Sequence, residues 1–472
     1  MAKISRRSFL KGSGLATVSS LVAPSLLANP FVRQAFADTI GDRYFLSIYL
    51  DGGNDGFNTV IPVDNGGATL RGAYDAARTT GTDGLNITPA QLAGTLIGSD
   101  PGSGAQLAFH PALANLKYLY DLGKVAVVQG CGYSRPSLSH ESSRIAWESG
   151  TPPGFASGTG WIGRYLAANY GGSDIPGVCL RSEVAGELKQ NATSVLAARR
   201  LRGLRFPYDG DFNGDSAWKR EAFLGLYQGA SAAALPIAEY LGTSGVATLL
   251  ATESYAGLHD HYVNGRPTYD QAYTDLDTGL GRSLREAAKV IYGIADGVPN
   301  VHARMMQVTT SGYDTHSDQG GIQQDGRHWE LLSELGGSLR LFYEDCASMQ
   351  VADKLVIMVW SEFGRRVIQN DGGTDHGTQY PVLVIGGGVQ GGVYGRHPNI
   401  NESALSDDGN TVYSQAAADP FRSTDMRDVY GTILKHWLGM PHQQVLDDVL
   451  TLDTGDPDIR WTQENFDMGF LA

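Results

Sequence analysis

Acidic, histidine and other polar side chains occur in short groups that follow an apolar run, precede one, or stand at the start of a predicted helix. In chain order the groups contain Asp51 with Asn54 and Asp55, Ser139 with His140, Asp314 with His316 and Asp318, Glu362 with Arg365, and Asp375 with His376. Carboxylates together with imidazoles are the ligands that divalent ions take in proteins. Two such ions can hold both the attacking and the leaving oxygen of a displacement at phosphorus or sulfur. The pattern predicts a site for one or more divalent ions, of Zn, Mn, Mg or Ca.

Each of these residues also has an ordinary structural interpretation. Asp51 precedes two glycines, as residues of a tight turn do. Glu362 lies close enough in sequence to form a salt bridge with Arg365 or Arg366. Asp375 and His376 fit a surface loop, and Ser139 fits the N-cap of a helix. The joint occurrence of the groups, and not any single residue, favours the metal site.

The elements that must position these groups alternate between strands and helices. Apolar runs predict strands at Tyr44–Leu50, Val125–Gln129, Val301–Thr309, Lys354–Trp360 and Pro381–Ile385. Helical spacing predicts helices at Ser139–Glu148, Leu284–Ile294, His328–Tyr343 and Met426–Leu438. Such alternation predicts an α/β fold with a mostly parallel central sheet and helices on both faces. Ligands of such sheets bind at the carboxyl ends of the strands, so the groups are expected to meet there.

Length and composition limit the function classes. The chain has 472 residues and a net charge of -14, and its basic residues form no visible patch, which argues against a general nucleic-acid binder. Its three cysteines form no CxxC pair, so a zinc ribbon or thioredoxin site is not expected. The Ala-, Arg- and Leu-rich stretch at about 185–265 suggests a helical cap inserted into one large domain over residues 38–472.

The first residues have the pattern of an export signal. Residues 5–11 read SRRSFLK, a weakly apolar stretch follows, and Ala35 and Ala37 form a small-x-small cleavage site. This predicts a twin-arginine signal peptide over residues 1–37, read by the twin-arginine translocation machinery, and a periplasmic or extracellular product. Apart from this segment, no apolar run is long enough for a transmembrane anchor.

The order of these motifs resembles the exported family called domain of unknown function 1501. The resemblance covers nearly the whole mature chain, and the last two of its motifs are together the most specific. The motifs are LDGGNDGFNT at 50–59, SHESSRIAWESG at 139–150, SGYDTH at 311–316, WSEFGR at 360–365 and DHGTQYPVLVIGGGVQGG at 375–392. The family looks like a divergent branch of the alkaline phosphatase and sulfatase superfamily. The resemblance therefore implies an alkaline phosphatase-like fold.

The resemblance also implies roles for individual residues. Asp51, Asp314, His316, Glu362 and His376 fall where the superfamily places metal ligands. Two departures weaken the transfer of these roles. The spacing Asp314-x-His316 replaces Asp-x-x-x-His, which puts Asp318 where the His is expected. Phe363 stands where a His usually follows the ligand at position 362, which leaves a second metal in doubt.

The nucleophile position is the largest departure from the superfamily pattern. Counting back from Ala146-Trp147 places His140 at that position, with Ser139 just before it. Either residue is a candidate catalytic group, Ser139 as an alkoxide nucleophile and His140 as nucleophile, acid/base group or metal ligand. Candidate contacts to an anionic substrate are the polar residues Asn54, Arg135, Arg144 and Arg365.

Two functions remain open at this stage. The first is an exported metal-dependent hydrolase of phosphate or sulfate esters, acting on a small-molecule or polymer substrate. The alternative is a non-catalytic exported binding or assembly protein on a degraded site. The missing His after Glu362 and the displaced nucleophile favour the alternative, whereas the ordered set of candidate ligands favours the hydrolase.

Overall fold

A computed structural model of the chain describes most of the residues beyond the predicted signal peptide. These are residues 42–67, 69–133, 136–151, 158–170, 175–190, 194–204, 216–231, 236–398, 400, 422–450 and 466–471. The predicted signal peptide at 1–37 and the candidate residue Arg135 lie outside the described residues.

Strands and helices alternate along the chain, as the apolar runs predict. The strands are β1 Tyr44–Asp51, β2 Val60–Pro62, β3 Leu96–Ser99, β4 Gln106–Phe109, β5 Val125–Gly132, β6 Gly177–Cys179, β7 Val195–Ala197, β8 Met305–Ser311, β9 Leu355–Ser361, β10 Gly364–Gln369, β11 Thr374–Gly377, β12 Tyr380–Gly386, β13 Gly392–Tyr394 and β14 Thr424–Asp425. The α-helices are α1 Leu70–Ala77, α2 Pro89–Leu92, α3 Ala114–Asp121, α4 His140–Ser149, α5 Trp161–Asn169, α6 Ser216–Ser231, α7 Pro236–Gly265, α8 Pro267–Leu276, α9 Gly279–Ala295, α10 Arg327–Ser348, α11 Met426–Thr432 and α12 His442–Gln444.

The central sheet is mostly parallel, which confirms the predicted fold class. Its strand order is β13-β5-β12-β9-β1-β8-β6-β7, and β14 also pairs with β5. β1 runs parallel to both neighbours, and its last residues, Leu50 and Asp51, pair with Ser361 of β9 and Ser311 of β8. The carboxyl ends of these three strands therefore meet at one edge, where the polar groups follow them.

β12 is the exception to the parallel arrangement, because it runs antiparallel to both β5 and β9. Its first residue, Tyr380, consequently lies at the edge where the parallel strands end. The short strand β11 precedes β12 and pairs with β10, with His376 opposite Arg365. A histidine placed before a parallel strand would lie at the opposite edge. The reversed direction of β12 brings His376 to the polar edge.

Both faces of the sheet are covered by helices. Along β1, Leu46 and Ile48 belong to one buried cluster, to which α3, α9 and α10 contribute. Phe45 and Tyr49 belong to the other cluster, formed with α4, α5 and α11. This alternation of side chains along a strand that is buried on both faces is what the near-continuous apolar run of β1 predicts.

Some element bounds differ from the sequence prediction. The strand expected at Val301–Thr309 begins at Met305, and the helix expected at Met426–Leu438 ends as an α-helix at Thr432 and continues as a π-helix over Ile433–Trp437. The described part of the predicted insertion at 185–265 has short elements up to residue 204, followed by α6 and α7. Its role as a cap stays a prediction. Among the described residues, none of the helices combines the length and the apolar character of a membrane span.

Candidate metal centre

His140 is the first residue of α4, and the sheet edge fixes its orientation. Nδ1 of its ring lies 2.7 Å from Oε1 of Glu362, which follows β9 and has no exposed surface. Nε2 lies 3.5 Å from Oδ2 of Asp314. The imidazole therefore spans the gap between a buried carboxylate and a more exposed one.

Asp314 follows β8 and is fixed by a buried guanidinium. Arg365 Nη2 lies 2.5 Å from Oδ1 of Asp314, and the same guanidinium donates to the carbonyl oxygens of Gly52, Gly53, Tyr313 and Thr374. Burial pushes the pKa of Asp314 upward, but the hydrogen bond and the positive charge of Arg365 act against this, and the pKa is lowered. Asp314 is thus an ionised carboxylate near neutral pH.

Glycine lets the end of β1 pass close to these groups. Gly52 has φ +125° and Gly53 has φ +82°, in the region that favours glycine. A Cβ at Gly52 would overlap the backbone nitrogen of Asp314, and one at Gly53 would overlap the ring of Phe363. The two glycines after Asp51 are therefore required by close approach.

His376 reaches Asp314 from β11. Its Nε2 lies 3.1 Å from Asp314 Oδ1, and its Nδ1 lies 2.8 Å from the carbonyl oxygen of Leu138. His316 lies beside it, with Nε2 3.0 Å from His376 Nε2 and 3.2 Å from Asp314 Oδ1. The other nitrogen of His316 lies 3.3 Å from Asp375 Oδ1. Four of the sequence-predicted site residues, namely His140, Asp314, His316 and His376, therefore lie together.

The ligand atoms of this group are spaced as the ligands of one metal ion are. One ligand atom from each of His140, Asp314 and His376 lies within 4.8 Å of the other two. Ligands about 2.0–2.1 Å from a tetrahedral zinc ion lie about 3.3 Å apart. The separations between Asp314 and the three histidines are 3.1 to 3.5 Å, to Oδ2 for His140 and to Oδ1 for His316 and His376, which is close to this spacing.

Hydrogen bonds fix which nitrogen of each histidine is available. The carbonyl oxygen of Leu138 can only accept, so Nδ1 of His376 carries the hydrogen and Nε2 presents its lone pair to Asp314. Burial lowers the pKa of His376, which favours this neutral form. A lone pair facing a carboxylate oxygen is satisfied by a cation or a proton between the two.

His140 is oriented by a carboxylate, whereas His376 is oriented by a carbonyl oxygen. The hydrogen bond to Glu362 is the main cause of the raised pKa of His140, and the negative charges of Glu362 and Asp314 add to it. Glu362 accepts a hydrogen bond from Nδ1 of His140, so that Nε2 is the ring nitrogen that faces Asp314. Histidines that bind metals usually donate their other N–H to a carboxylate or a backbone carbonyl, as His140 and His376 do here.

Phe363 closes one side of the group. Its ring centroid lies 4.9 Å from that of His140 and 4.4 Å from that of His376. The residue that replaces an expected ligand histidine is therefore an apolar wall against both imidazoles. This arrangement fits one metal position between His140, Asp314 and His376.

Two predicted ligands lie outside this group. Glu362 contacts the ring of His140 and also accepts from the backbone N–H of Gly52 at 2.9 Å, so it acts on the group through His140. Asp51 accepts a hydrogen bond from the Tyr49 hydroxyl at 3.0 Å, and its side chain lines a neighbouring cavity. The structure does not bring Asp51 into the ligand group.

The predicted substrate contacts are placed differently from one another. Arg365 is fully buried and bound to backbone carbonyls and Asp314, and Asn54 is buried and bonded to Thr59, so neither side chain faces solvent. The prediction that Arg365 and Asn54 contact the substrate is therefore wrong, because both side chains bind the surrounding protein. Arg144 is half-buried on α4, one turn after His140, and stays a candidate.

Ser139 occupies the N-cap position of α4, as its alternative interpretation predicts. Its side chain makes no capping hydrogen bond and is exposed next to His140. Since no capping bond occupies the hydroxyl, it is open to solvent at the helix N-terminus, where an alkoxide is favoured. Its role as nucleophile stays a prediction.

Comparison with known proteins gives a family match over part of the chain and a remote structural likeness. Residues 294–458 match the model of a family described as "Protein of unknown function (DUF1501)", and this confirms the predicted family over that segment. The segment contains Asp314, His316, Glu362 and His376, whereas His140 precedes it. No curated protein matches the chain. A solved structure of an alkaline phosphatase superfamily protein from Vibrio parahaemolyticus shares 12% identity, covering 84% of this chain and 67% of its own, with a TM-score of 0.35.

Proposed function

We propose that this chain is a metal-dependent hydrolase of phosphate or sulfate esters that acts after export. One observation carries the proposal. Ligand atoms of His140, Asp314 and His376 lie within 4.8 Å of one another, and the second nitrogen of each histidine is held by an acceptor. Closely spaced ligand atoms on histidines whose second nitrogen is held by an acceptor are typical of a metal centre. Without a cation, the free nitrogens would face the Asp314 carboxylate unfavourably.

The residues fit a single divalent ion. His140 Nε2, Asp314 and His376 Nε2 would hold it, with His316 Nε2 beside them as a further nitrogen ligand. A divalent ion bound there supplies Lewis-acid polarisation of an ester oxygen and lowers the pKa of bound water. Side chains that are about 39% exposed at His140 and 45% at Asp314 leave the group open to a substrate.

Residues around the ligand group have the remaining roles in the proposed reaction. Glu362 and the Leu138 carbonyl hold the two imidazoles in their ligand tautomers, and Arg365 keeps Asp314 ionised and directed at them. Phe363 excludes water from one side. We assign the attack on the ester to the Ser139 hydroxyl, because both nitrogens of His140 already have partners.

The test is metal content together with turnover. Protein purified without chelators is analysed for bound metal and assayed on aryl phosphates and aryl sulfates, with Asp314→Asn as the test variant. Asp121→Asn, the same change on the exposed surface of α3, is the control. We expect about one equivalent of metal in wild type and control, and loss of metal and turnover in Asp314→Asn.

A second variant separates the metal from the chemistry. Ser139→Ala is expected to keep the metal and lose turnover. Wild-type protein that holds no metal and turns over no ester contradicts the whole proposal. Metal without turnover on any ester contradicts the hydrolase and favours the non-catalytic alternative.

A further inference from the structure

A second feature of the same sheet edge is a cavity of about 770 Å³ beside the candidate metal centre. The ends of β1 and β8 border it through Asp51, Thr309 and Ser311, and α9, the segments 180–183 and 199–202, and His259 of α7 form the rest. Cavities that hold small ligands measure roughly 300–1,000 Å³. The volume is thus suited to a small molecule.

The lining of this cavity is strongly cationic. Arg181 and three further arginines, Arg199, Arg200 and Arg202, reach it from one side, and α9 contributes two arginines and a lysine. Seven cationic side chains therefore face three carboxylates in a chain whose net charge is -14. The lining of the cavity is therefore positive, although the net charge of the whole chain is negative.

The cations on α9 have carboxylate partners. Lys289 pairs with Glu286, Arg285 with Asp270, and Arg282 with Asp277. Arg181 lies 3.7 Å from Glu183. By contrast, Arg199, Arg200 and Arg202 are exposed, and no described carboxylate pairs with them. Three guanidinium groups are therefore available to a ligand.

The segment that carries these three arginines is anchored. The backbone N–H of Leu201 donates to Glu286 Oε2 at 2.9 Å, and the Leu201 side chain is fully buried. Glu286 thus holds Lys289 with one oxygen and the arginine segment with the other. An anchored backbone positions the guanidinium groups before a ligand arrives, which lowers the entropy cost of binding.

Asp51 connects the cavity to the candidate metal centre. Its side chain lines the cavity, and the next residue, Gly52, donates to Glu362 and accepts from Arg365. A ligand in the cavity therefore lies next to the residues that orient His140 and Asp314. Guanidinium groups bind tetrahedral oxyanions such as phosphate and sulfate bidentately.

We propose that this arginine-lined cavity binds additional phosphate or sulfate groups of the substrate, so that the substrate is a small polyanion bearing two or more such groups. This inference rests on the proposed function for the identity of the reaction. The binding claim itself concerns Arg199, Arg200 and Arg202 and does not require the metal.

Binding is measured by calorimetry on the full chain in excess chelator, with inorganic tripolyphosphate in one arm and sucrose octasulfate in the other. Orthophosphate is the single-group comparison. The test variant is Arg200→Gln/Arg202→Gln, and the matched control is Arg340→Gln/Lys354→Gln, which removes two cations distant from the cavity. Loss of one charge-assisted hydrogen bond weakens binding about tenfold or more.

We expect at least one polyanion to bind more tightly than orthophosphate, to weaken about a hundredfold in the test variant, and to change less than about twofold in the control. Whichever of the two polyanions binds more tightly shows whether the cavity prefers phosphate groups or sulfate groups. No binding in either arm, or equal weakening in the control, overturns the inference.

Turnover separates this inference from the proposed function. With metal restored, the test variant is expected to raise KM more for an ester with a second anionic group than for a simple aryl ester. Polyanion binding without any turnover leaves the cavity assignment standing and contradicts only the hydrolase. Turnover whose KM is the same in wild type and test variant contradicts the cavity assignment.

Discussion

Glu362 has no exposed surface, and its carboxylate determines which ring nitrogen of the half-buried His140 carries hydrogen. Its carboxylate accepts from His140 Nδ1, from the Gly52 backbone and from the Ser361 hydroxyl. Glu362→Gln keeps the shape but removes the negative charge, so the hydrogen bond that His140 Nδ1 donates to this side chain becomes weaker. We expect metal affinity to fall about 10–100-fold, as for other changes to groups that orient a ligand.

A metal titration of Glu362→Gln measures this effect, with Glu344→Gln on the surface of α10 as the control. Equal affinities in wild type and Glu362→Gln would show that the buried carboxylate does not orient His140.

Glu187 gives a prediction about stability and pH. Burial is the main cause that raises its pKa to about 8, and the hydrogen bond from Ser47 opposes it only in part. Because the folded state holds this proton more tightly than the unfolded state, wild type loses stability as the pH rises from about 4.5 to about 8. Glu187→Gln removes this loss and is expected to exceed wild type above pH 8 by on the order of 4 kcal/mol.

Urea unfolding of wild type and Glu187→Gln at several pH values measures the difference. It is expected to be small near pH 4 and to grow towards pH 9. A difference that does not change with pH would mean that Glu187 ionises in the folded protein as it does in the unfolded chain.

The sequence predicts the residue types of the site better than the direction of each side chain. Asp314, His140 and His376 are local features that follow a strand, start a helix or precede a strand, and the structure brings them together. Arg365 binds carbonyls from three separate segments, and such contacts leave no pattern near position 365 in the sequence.

At the scale of elements, the direction of β12 determines whether His376 lies near the other candidate ligands. The apolar run at Pro381–Ile385 predicts a strand, but periodicity carries no information about direction. Only an antiparallel β12 puts the preceding His376 at the carboxyl edge of the other strands. The strands and the mostly parallel sheet were therefore predictable, whereas the geometry that completes the ligand group was not.

The loop after β1 depends on a buried ion pair between elements. Asp55 and Arg78 have no exposed side-chain surface and pair at 2.5 Å, and Arg78 also donates to the Val367 carbonyl of β10. Burial would raise the pKa of Asp55, but Arg78 outweighs it and the pKa is lowered. Arg78→Met leaves this charge without its partner, so we expect a loss of about 3–5 kcal/mol in the free energy of unfolding.

Urea denaturation measures this loss, with Arg340→Met on the exposed face of α10 as the control. The double variant Asp55→Asn/Arg78→Met is expected to recover part of the stability, because it removes the buried charge. If Arg78→Met costs no more than the control, the pair does not hold the loop to β10.

At the scale of the whole molecule, the composition of the chain does not show where its positive charges lie in the folded protein. The sequence contains no visible basic patch, but the folded chain gathers cations from residues 181, 199–202 and 282–289 around one cavity. Segments about 100 residues apart meet there only because β6, β7 and β8 are neighbours in the sheet. No window of the sequence shows this arrangement.

The predicted signal peptide at residues 1–37 gives a prediction about export. Twin-arginine signals are addresses read by a receptor, so charge alone does not replace the two arginines. Arg6→Lys/Arg7→Lys is expected to leave the protein in the cytoplasm of a bacterium that has the translocation machinery. Cell fractionation measures this, with Lys3→Arg/Lys11→Arg as the charge-matched control, and equal export of both variants would contradict the predicted signal.

Metal binding should also change the stability of the whole molecule, because an ion that binds only the folded state stabilises it by mass action. At a free metal concentration of 100 times Kd this amounts to about 2.7 kcal/mol. A domain of more than 400 residues gains only about 1 °C in Tm per kcal/mol, since its unfolding entropy is large. We expect Tm to rise by about 3 °C over the chelated protein in wild type and in Asp121→Asn, and to stay unchanged in Asp314→Asn. A full rise in Asp314→Asn would place the ion elsewhere, because this variant removes the one carboxylate that all three histidines face.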